Sequence, residues 1–245
     1  MPVSFAPTIP VEIRLPAGVL LALLLGACAS EAPVAPRTAV EAPPLTSLAP
    51  GPREERTFHI IPERTTVSYH AQEKYLAWPA PTKAVASTSN VEGQFVLITG
   101  DQPALAANHF RVDLGTLRTE TDDRPASLGG PPVFQRDEVV AGMLTARGRF
   151  PFAQFTATGA ERLPFQWPEN QVIKLRLSGD LTIRGVARTV VFETEARLQG
   201  ATLSGTATAD ILMTDFSVTP PDVLGVVKVE DQLTISIRFT AEALP

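Results

Sequence analysis

"KLRLSGDLTIRGVARTVVFETEARL", residues 174–198, alternates apolar and polar side chains on both sides of a turn at Arg184, Gly185 and Val186. Successive side chains on a strand point to opposite faces, so a period of two separates a dry face from a wet one. Ile173, Leu175, Leu177, Gly179, Leu181 and Ile183 share one parity, and Lys174, Arg176, Ser178, Asp180, Thr182 and Arg184 share the other. Beyond the turn, Val190, Phe192, Thr194, Ala196 and Leu198 continue the dry face, while Glu193, Glu195 and Arg197 continue the wet one. The pattern predicts a long antiparallel hairpin with one buried side.

The same alternation recurs on either side of this hairpin. Val67, Tyr69 and Ala71 begin it; Val91, Gly93, Phe95 and Leu97 follow, then Phe110, Val112 and Leu114, then Phe155, Ala157 and Gly159. After the hairpin come Leu203, Gly205, Ala207, Ala209, Ile211 and Met213, and finally Leu233, Ile235, Ile237, Phe239 and Ala241. About eight antiparallel strands, each dry on one side, must close into a barrel or stack as two sheets. An eight-stranded barrel is just wide enough to be filled by side chains or to hold one small ligand. Many inward positions are small: Gly93, Ala157, Gly159, Gly179, Ala196, Gly205, Ala207 and Ala209. They fit a hollow, and they equally fit bulges and bends where strands turn corners.

Between Thr116 and Phe152 the alternation stops. Val140, Met143 and Leu144 fall at helical spacing after Pro131 and Pro132, which predicts a short helix acting as a lid over one barrel end. "TETDD", residues 119–123, lacks the glycine and terminal glutamate of a calcium loop and reads, with Arg124, as a solvated turn. Extending the row Phe110, Val112, Leu114 through Thr116 reaches Arg118, a cation at the end of an apolar wall and hence a headgroup candidate.

The chain of 245 residues has a net charge of -5, which argues against nucleic acid as a partner. Its single cysteine, Cys28, excludes an intramolecular disulfide. Cys28 ends "LPAGVLLALLLGAC", an apolar run of secretory-signal length that follows Arg14. Leu25, Gly26, Ala27 and Cys28 resemble the bacterial lipobox, which implies a signal peptide over residues 1–27 and a lipidated, palmitate-bearing Cys28 as the membrane anchor. Residues 28–55, rich in Pro and Ala, read as a disordered tether, and residues 56–245 as the barrel domain. The expected location is exported and lipid-anchored to the cell envelope. Ala29 after the cysteine favours the periplasmic face of the outer membrane if the cell has two membranes.

No catalytic constellation is visible. His59, His70 and His109 lie in separate elements without metal-ligand spacing, and no serine sits on a nucleophile elbow. The sequence therefore predicts a protein that is not an enzyme and uses no cofactor or metal, with oligomeric state open.

Several stretches resemble the YceI-like family in the family's order: "VEGQF" at 91–95, "FRVDLGTLRT" at 110–119, "GRFPFAQFTAT" at 148–158, "LSGDLTIRGVARTVVF" at 177–192 and "TDFSV" at 214–218. The segment "EKYLAWPAPTKAVASTSNVEG" resembles a lipoprotein branch of that family. The resemblance implies an all-β, lipocalin-like barrel that binds polyisoprenoids or similar long-chain amphiphiles. With the inward rows, it implies a ligand cavity walled by Phe95, Leu97, Phe110, Val112, Leu114, Phe155, Leu175, Leu177, Leu181, Phe192, Ala196, Ala207, Ile211, Ile235 and Ile237. The expected partner is an isoprenoid or other apolar-chain lipid. A scaffold barrel meeting an envelope protein through its outer face, without a native ligand, is the alternative. Polar positions depart from the family pattern: Arg64 and Thr65 replace a His-Ser pair, Pro125 follows Arg124 in place of Asp, and Met213 and Ser217 replace a basic residue and a glycine. The resemblance thus carries the barrel and the cavity, and not the headgroup contacts.

Overall fold

A computed structural model describes residues 53–122, 133–223 and 226–244. The expected leader, lipidation site and most of the tether, together with Arg124 and its neighbours, lie outside the described residues. The founding hairpin is β8 (Val172–Ile183) and β9 (Val186–Gln199), with Ile183 opposite Val186 and Leu177 opposite Phe192. Its two-residue turn has positive φ at both Arg184 (53°) and Gly185 (76°), the backbone twist that matches a tight hairpin to its strands. Lys174 faces Glu195 and Arg176 faces Glu193, each at 2.8 Å on the outer surface. Such exposed pairs add little stability, but they fix the wet face where the alternation put it.

The remaining strands are β1 (Glu54–Ile60), β2 (Thr66–Tyr75), β3 (Thr82–Thr88), β4 (Val91–Thr99), β5 (Ala104–Asp113), β6 (Arg118–Asp122), β7 (Phe152–Glu161), β10 (Thr202–Leu212), β11 (Asp222–Val223) and β12 (Val227–Ala243). Eight of them close an antiparallel circuit, β1-β4-β5-β7-β8-β9-β10-β12, because β12 pairs back with β1. β12 is 17 residues long, and the sheet forks on its edge. Its C-terminal residues pair with β1, and its N-terminal part with β2, from which β3 and β6 continue as a branch. Between β1 and β2 the chain makes a single 3-10 turn, Pro62–Arg64, whose proline has no N–H to offer the ladder. Thr65 repairs the gap: its buried Oγ1 accepts from Thr240 N at 3.1 Å.

The expected count of barrel strands holds, but its membership changes. The first strand read from sequence, around Val67 to Ala71, is β2 on the fork, and the circuit is closed by β1. "TETDD" is no turn, since residues 118–122 form β6 against β3, with Thr119 opposite Ala86. A strand of polar residues on a sheet edge carries no apolar alternation to reveal it.

The helix α1 (Val133–Leu144) forms where expected and covers the end of the barrel next to the fork. Leu144 is buried, and Val140 and Met143 pack against the same cluster as Leu114, Leu117 and Leu233. Two polar ties hold it. Asp137 accepts from Thr119 N at 3.0 Å and from its hydroxyl at 2.5 Å, and Arg136 pairs with Glu73 of β2 in a nearly dry setting.

Candidate functional site

Two roles stand out among the small inward residues. A Cβ on Gly93 would lie 2.6 Å from Phe110 Cδ1, and one on Gly179 would lie 2.6 Å from Phe155 Cζ. These glycines are seats for aromatic rings. With Gly179 bare, the Phe155 ring reaches across β8 to meet Phe192 edge-on, with centroids 5.0 Å apart. Phe58, Phe95, Phe110 and Phe155 continue the chain at 5.3, 6.0 and 6.3 Å, an unbroken aromatic arc on the inner wall from β1 to β9. Gly159 follows a bulge in β7 and faces solvent, so the inward parity read there does not extend to it. Ala196 and Ala207 have the second role and line open space.

That space is a cavity of about 210 Å³. All fifteen residues named from sequence as its wall lie on its lining. Ile60, Leu105, Leu163, Trp167, Leu203, Leu233 and Phe239 join them, and the lining surface is almost wholly apolar although Thr65, Ser68, Tyr69 and Gln154 also border it. Leu203, Leu233 and Phe239 were already on inward rows. Leu163 and Trp167 sit in the β7–β8 loop, where no periodicity points inward. That loop is strapped over the end of the barrel away from α1: Asn170 N donates to Leu198 O at 2.8 Å, and Gly100 N to Phe165 O at 2.7 Å. The Trp167 Nε1 is buried there without a hydrogen-bond partner, the one such side-chain atom among the described residues.

Arg118 lies outside this lining. Its side chain is exposed, and its Nη1 donates to the carbonyls of Leu117 at 2.7 Å and Gly115 at 3.2 Å. The inward parity ends at a 3-10 turn, Leu114–Thr116, capped by Asp113 Oδ1 accepting from Gly115 N at 2.9 Å. That turn breaks the alternation, so Leu117 rather than Arg118 faces the cavity.

The ionisable groups nearest the cavity gather under α1. Tyr69 borders both the main cavity and a side pocket of about 50 Å³ shared with Glu73 and Arg136. Burial pushes the Tyr69 phenol up from 10.0 to about 12, with Glu73 and Asp137 adding to the rise and Arg136 opposing it. In the unfolded chain the phenol ionises near pH ~10, so the folded state holds the extra proton between there and the raised value, and stability falls as pH rises through that window. The expected loss is about 2–3 kcal/mol, at ~1.4 kcal/mol per pH unit. Denaturant unfolding of the parent and of Tyr69→Phe from pH 9 to 12 measures it: the parent's alkaline slope should be the steeper, and equal slopes would place the phenol in a wetter environment.

The three histidines form no site. His70 is exposed, with Nε2 3.4 Å from Ser68 Oγ. His59 and His109 flank Gln94 in register on the outer face, two strand spacings or ~10 Å apart. Among the described residues, no group of three or more His, Cys, Asp or Glu side chains is placed to hold a metal ion.

The YceI-like domain family matches residues 58–241, from the buried Phe58 of β1 to the buried Ala241 of β12. The chain belongs to this family. Its fold resembles that of a polyisoprenoid binding domain from Saccharophagus degradans implicated in plant cell wall breakdown, at a TM-score of 0.54 and 10% identity over 76% of this chain and 98% of that one. It also resembles Burkholderia cenocepacia BcnA, at a TM-score of 0.51 and 18% identity over 74% and 98%. No curated protein matches the chain. In this YceI-like domain two of the departures from the family pattern fall on described residues in or next to the core cluster, Ser217 and Met213. Ser217, where a glycine is usual, adopts φ 56° and ψ 32° to end the 3-10 turn Thr214–Phe216, and its carbonyl accepts from Arg184 Nη1 at 2.6 Å. Met213 is buried in the core cluster and borders the side pocket that holds Glu73 and Arg136.

Proposed function

We propose that this YceI-like domain is a membrane-anchored lipid-binding protein that sequesters or carries a long apolar chain, of the polyisoprenoid kind, inside the barrel. The observation that carries the reading is the cavity itself. At ~24 cal/mol per Å³, leaving about 210 Å³ of apolar space empty costs about 5 kcal/mol of stability, a penalty that an apolar occupant removes. Smaller apolar cavities stay dry and take up hydrocarbons. Each methylene moved out of water contributes about 0.8 kcal/mol, so a long tail binds tightly with hardly any polar contact. The relative described as a polyisoprenoid binding domain supports the choice of chain. The cavity is bordered at one end by α1, through Leu144, and at the other by the β7–β8 loop, through Leu163 and Trp167.

The binding test is calorimetric titration of the protein with geranylgeraniol at several temperatures. Saturable one-to-one binding with a negative heat-capacity change is expected, since apolar burial produces that sign. Absence of saturable binding would remove the cavity from the function.

In this reading the anchor is Cys28, lipidated after removal of residues 1–27 and joined to the barrel by the Pro- and Ala-rich residues 28–55, with the domain in the cell envelope. Among the described residues no helix is long and apolar enough to cross a membrane. A Cys28→Ser precursor is expected to lose metabolic palmitate labelling and, on processing, to leave the membrane fraction. Unchanged labelling would sink the assignment.

A further inference from the structure

The β2–β3 connection reads Leu76-Ala77-Trp78-Pro79-Ala80-Pro81, six apolar residues in succession, and every one of them is exposed. Leu76 is 83% exposed and Trp78 40%. Val226, 53% exposed, joins them from the start of β12, since its carbonyl accepts from Leu76 N at 2.9 Å. Runs of exposed apolar residues weaken solubility and are kept where they have a use. This run stands at a defined place. β12 pairs Val229 with Glu73, the residue that Arg136 of α1 holds, and runs on two residues to Val227, so the strands carry the tip roughly 7 Å past that tie at ~3.3 Å per residue.

Behind the tip lie three of the chain's four lysines. Lys74 and Lys228 face each other in register across β2 and β12, and Lys83 lies on β3 opposite Gln72. Like charges directly opposite are unfavourable in water. Lys74 is paired with Glu230 at 2.7 Å, Asp222 stands in register with Lys228, and Asp122 stands opposite Ala84 beside Lys83, so the charges around the tip balance in a chain whose total is -5.

We infer that this tip is a membrane-docking finger, which inserts Leu76, Trp78 and Val226 into the interfacial layer of an anionic bilayer and turns the lid end of the barrel toward the lipid. Tryptophan favours that layer because its ring is apolar and its N–H remains wet. Lysines a few residues behind an apolar tip lay their stems along it and reach the headgroups. A protein partner is a poorer occupant, because a stable protein interface buries upward of about 1,000 Å² on a broad surface and the finger is a narrow hairpin end. The inference does not depend on what the cavity holds.

The test uses the mature chain, residues 28–245 carrying Cys28→Ser, so that neither the apolar leader nor a covalent lipid contributes, with vesicles of phosphatidylcholine alone or mixed with phosphatidylglycerol. Tryptophan emission of the parent should shift to shorter wavelength on the mixed vesicles and be quenched by bromine-labelled lipid, and Trp78→Phe should abolish the quenching. Leu76→Ser with Trp78→Ser should weaken partitioning at least about tenfold. Lys74→Gln with Lys83→Gln should remove the preference for the anionic vesicles. All four sites are exposed, so the variants should keep the parent's unfolding transition. The inference is overturned if the tip variants partition like the parent, if bound parent shows no quenching, or if the same substitutions instead abolish a concentration-dependent dimer, which would assign the finger to a second copy of the chain.

Discussion

Replacing Glu73 by alanine is expected to destabilise the domain by about 3 kcal/mol, the scale seen when one partner of a buried ion pair is removed. The Glu73 side chain is only 7% exposed and that of Arg136 15%, so water screens the pair little. Glu73 also accepts from the Tyr75 hydroxyl at 2.8 Å, which fixes the carboxylate before the helix docks on it. With the carboxylate gone, Arg136 either keeps a buried charge without that partner or pulls α1 away from the barrel. For a domain of this size the loss corresponds to roughly 6–12 °C in Tm. Hydrogen exchange separates the two outcomes, since undocking raises exchange in α1 alone. Replacing both residues by leucine should recover most of the stability, because an apolar pair has no charge to strand. A single-variant effect below about 1 kcal/mol would mean that the pair is wetter than its geometry indicates.

The second large effect concerns the hollow. Ala207 lies opposite Ile237 and Thr194, and Ala196 lies opposite Gly205, with both methyls on the cavity wall. Ala207→Phe or Ala196→Leu should lower affinity for an apolar chain at least about tenfold by occupying its volume. The ligand-free domain should keep its stability within about 1 kcal/mol or gain, because the added atoms fill empty space. In a close-packed interior the same substitutions would cost about 1–3 kcal/mol through strain. Denaturant unfolding without ligand, set beside a binding titration, reads both quantities. A marked loss of stability with ligand binding retained would show a solid core at these positions.

These expectations draw on parts of the fold that the sequence exposes unevenly. The β8–β9 hairpin was legible in its pairing and its two faces, because one face is dry, the other carries matched charges, and Arg184-Gly185 satisfies the turn, while Val186, read into the turn, opens β9. The cavity wall was legible for the same reason, since inward parity on a closed barrel is a statement about the cavity. Glycine was ambiguous: Gly93 and Gly179 read as candidate empty space, whereas they make room for Phe110 and Phe155. Which it does depends on the ring across the strand, and that is a matter of register rather than composition. Arg118 was misplaced because parity was carried through Leu114–Thr116, where a 3-10 turn abolishes it. β1 was passed over because its inward residues, Phe58 and Ile60, make too short an alternation before Pro62. The buried pair of Glu73 and Arg136 left no sequence signal, since it joins residues 63 positions apart on elements of different period.

The fork in the sheet ties the two ends of the account together. Because β12 outlasts its pairing with β1, it continues past the lid with β2 and β3, and this extension both carries Glu73 to α1 and raises the apolar finger beyond it. A barrel closed along its whole length would have neither the anchored helix nor the projecting tip.

The most direct test of an apolar-chain binder is native mass spectrometry of the protein gently isolated from the cells that make it, followed by denaturing spectrometry of the same sample. Any lipid on Cys28 is covalent and survives denaturation, whereas a chain held in the cavity is lost. The account predicts a native mass that exceeds the denatured mass by one lipid molecule, and an excess that disappears in Ala207→Phe. Identical native and denatured masses in repeated gentle preparations would contradict it.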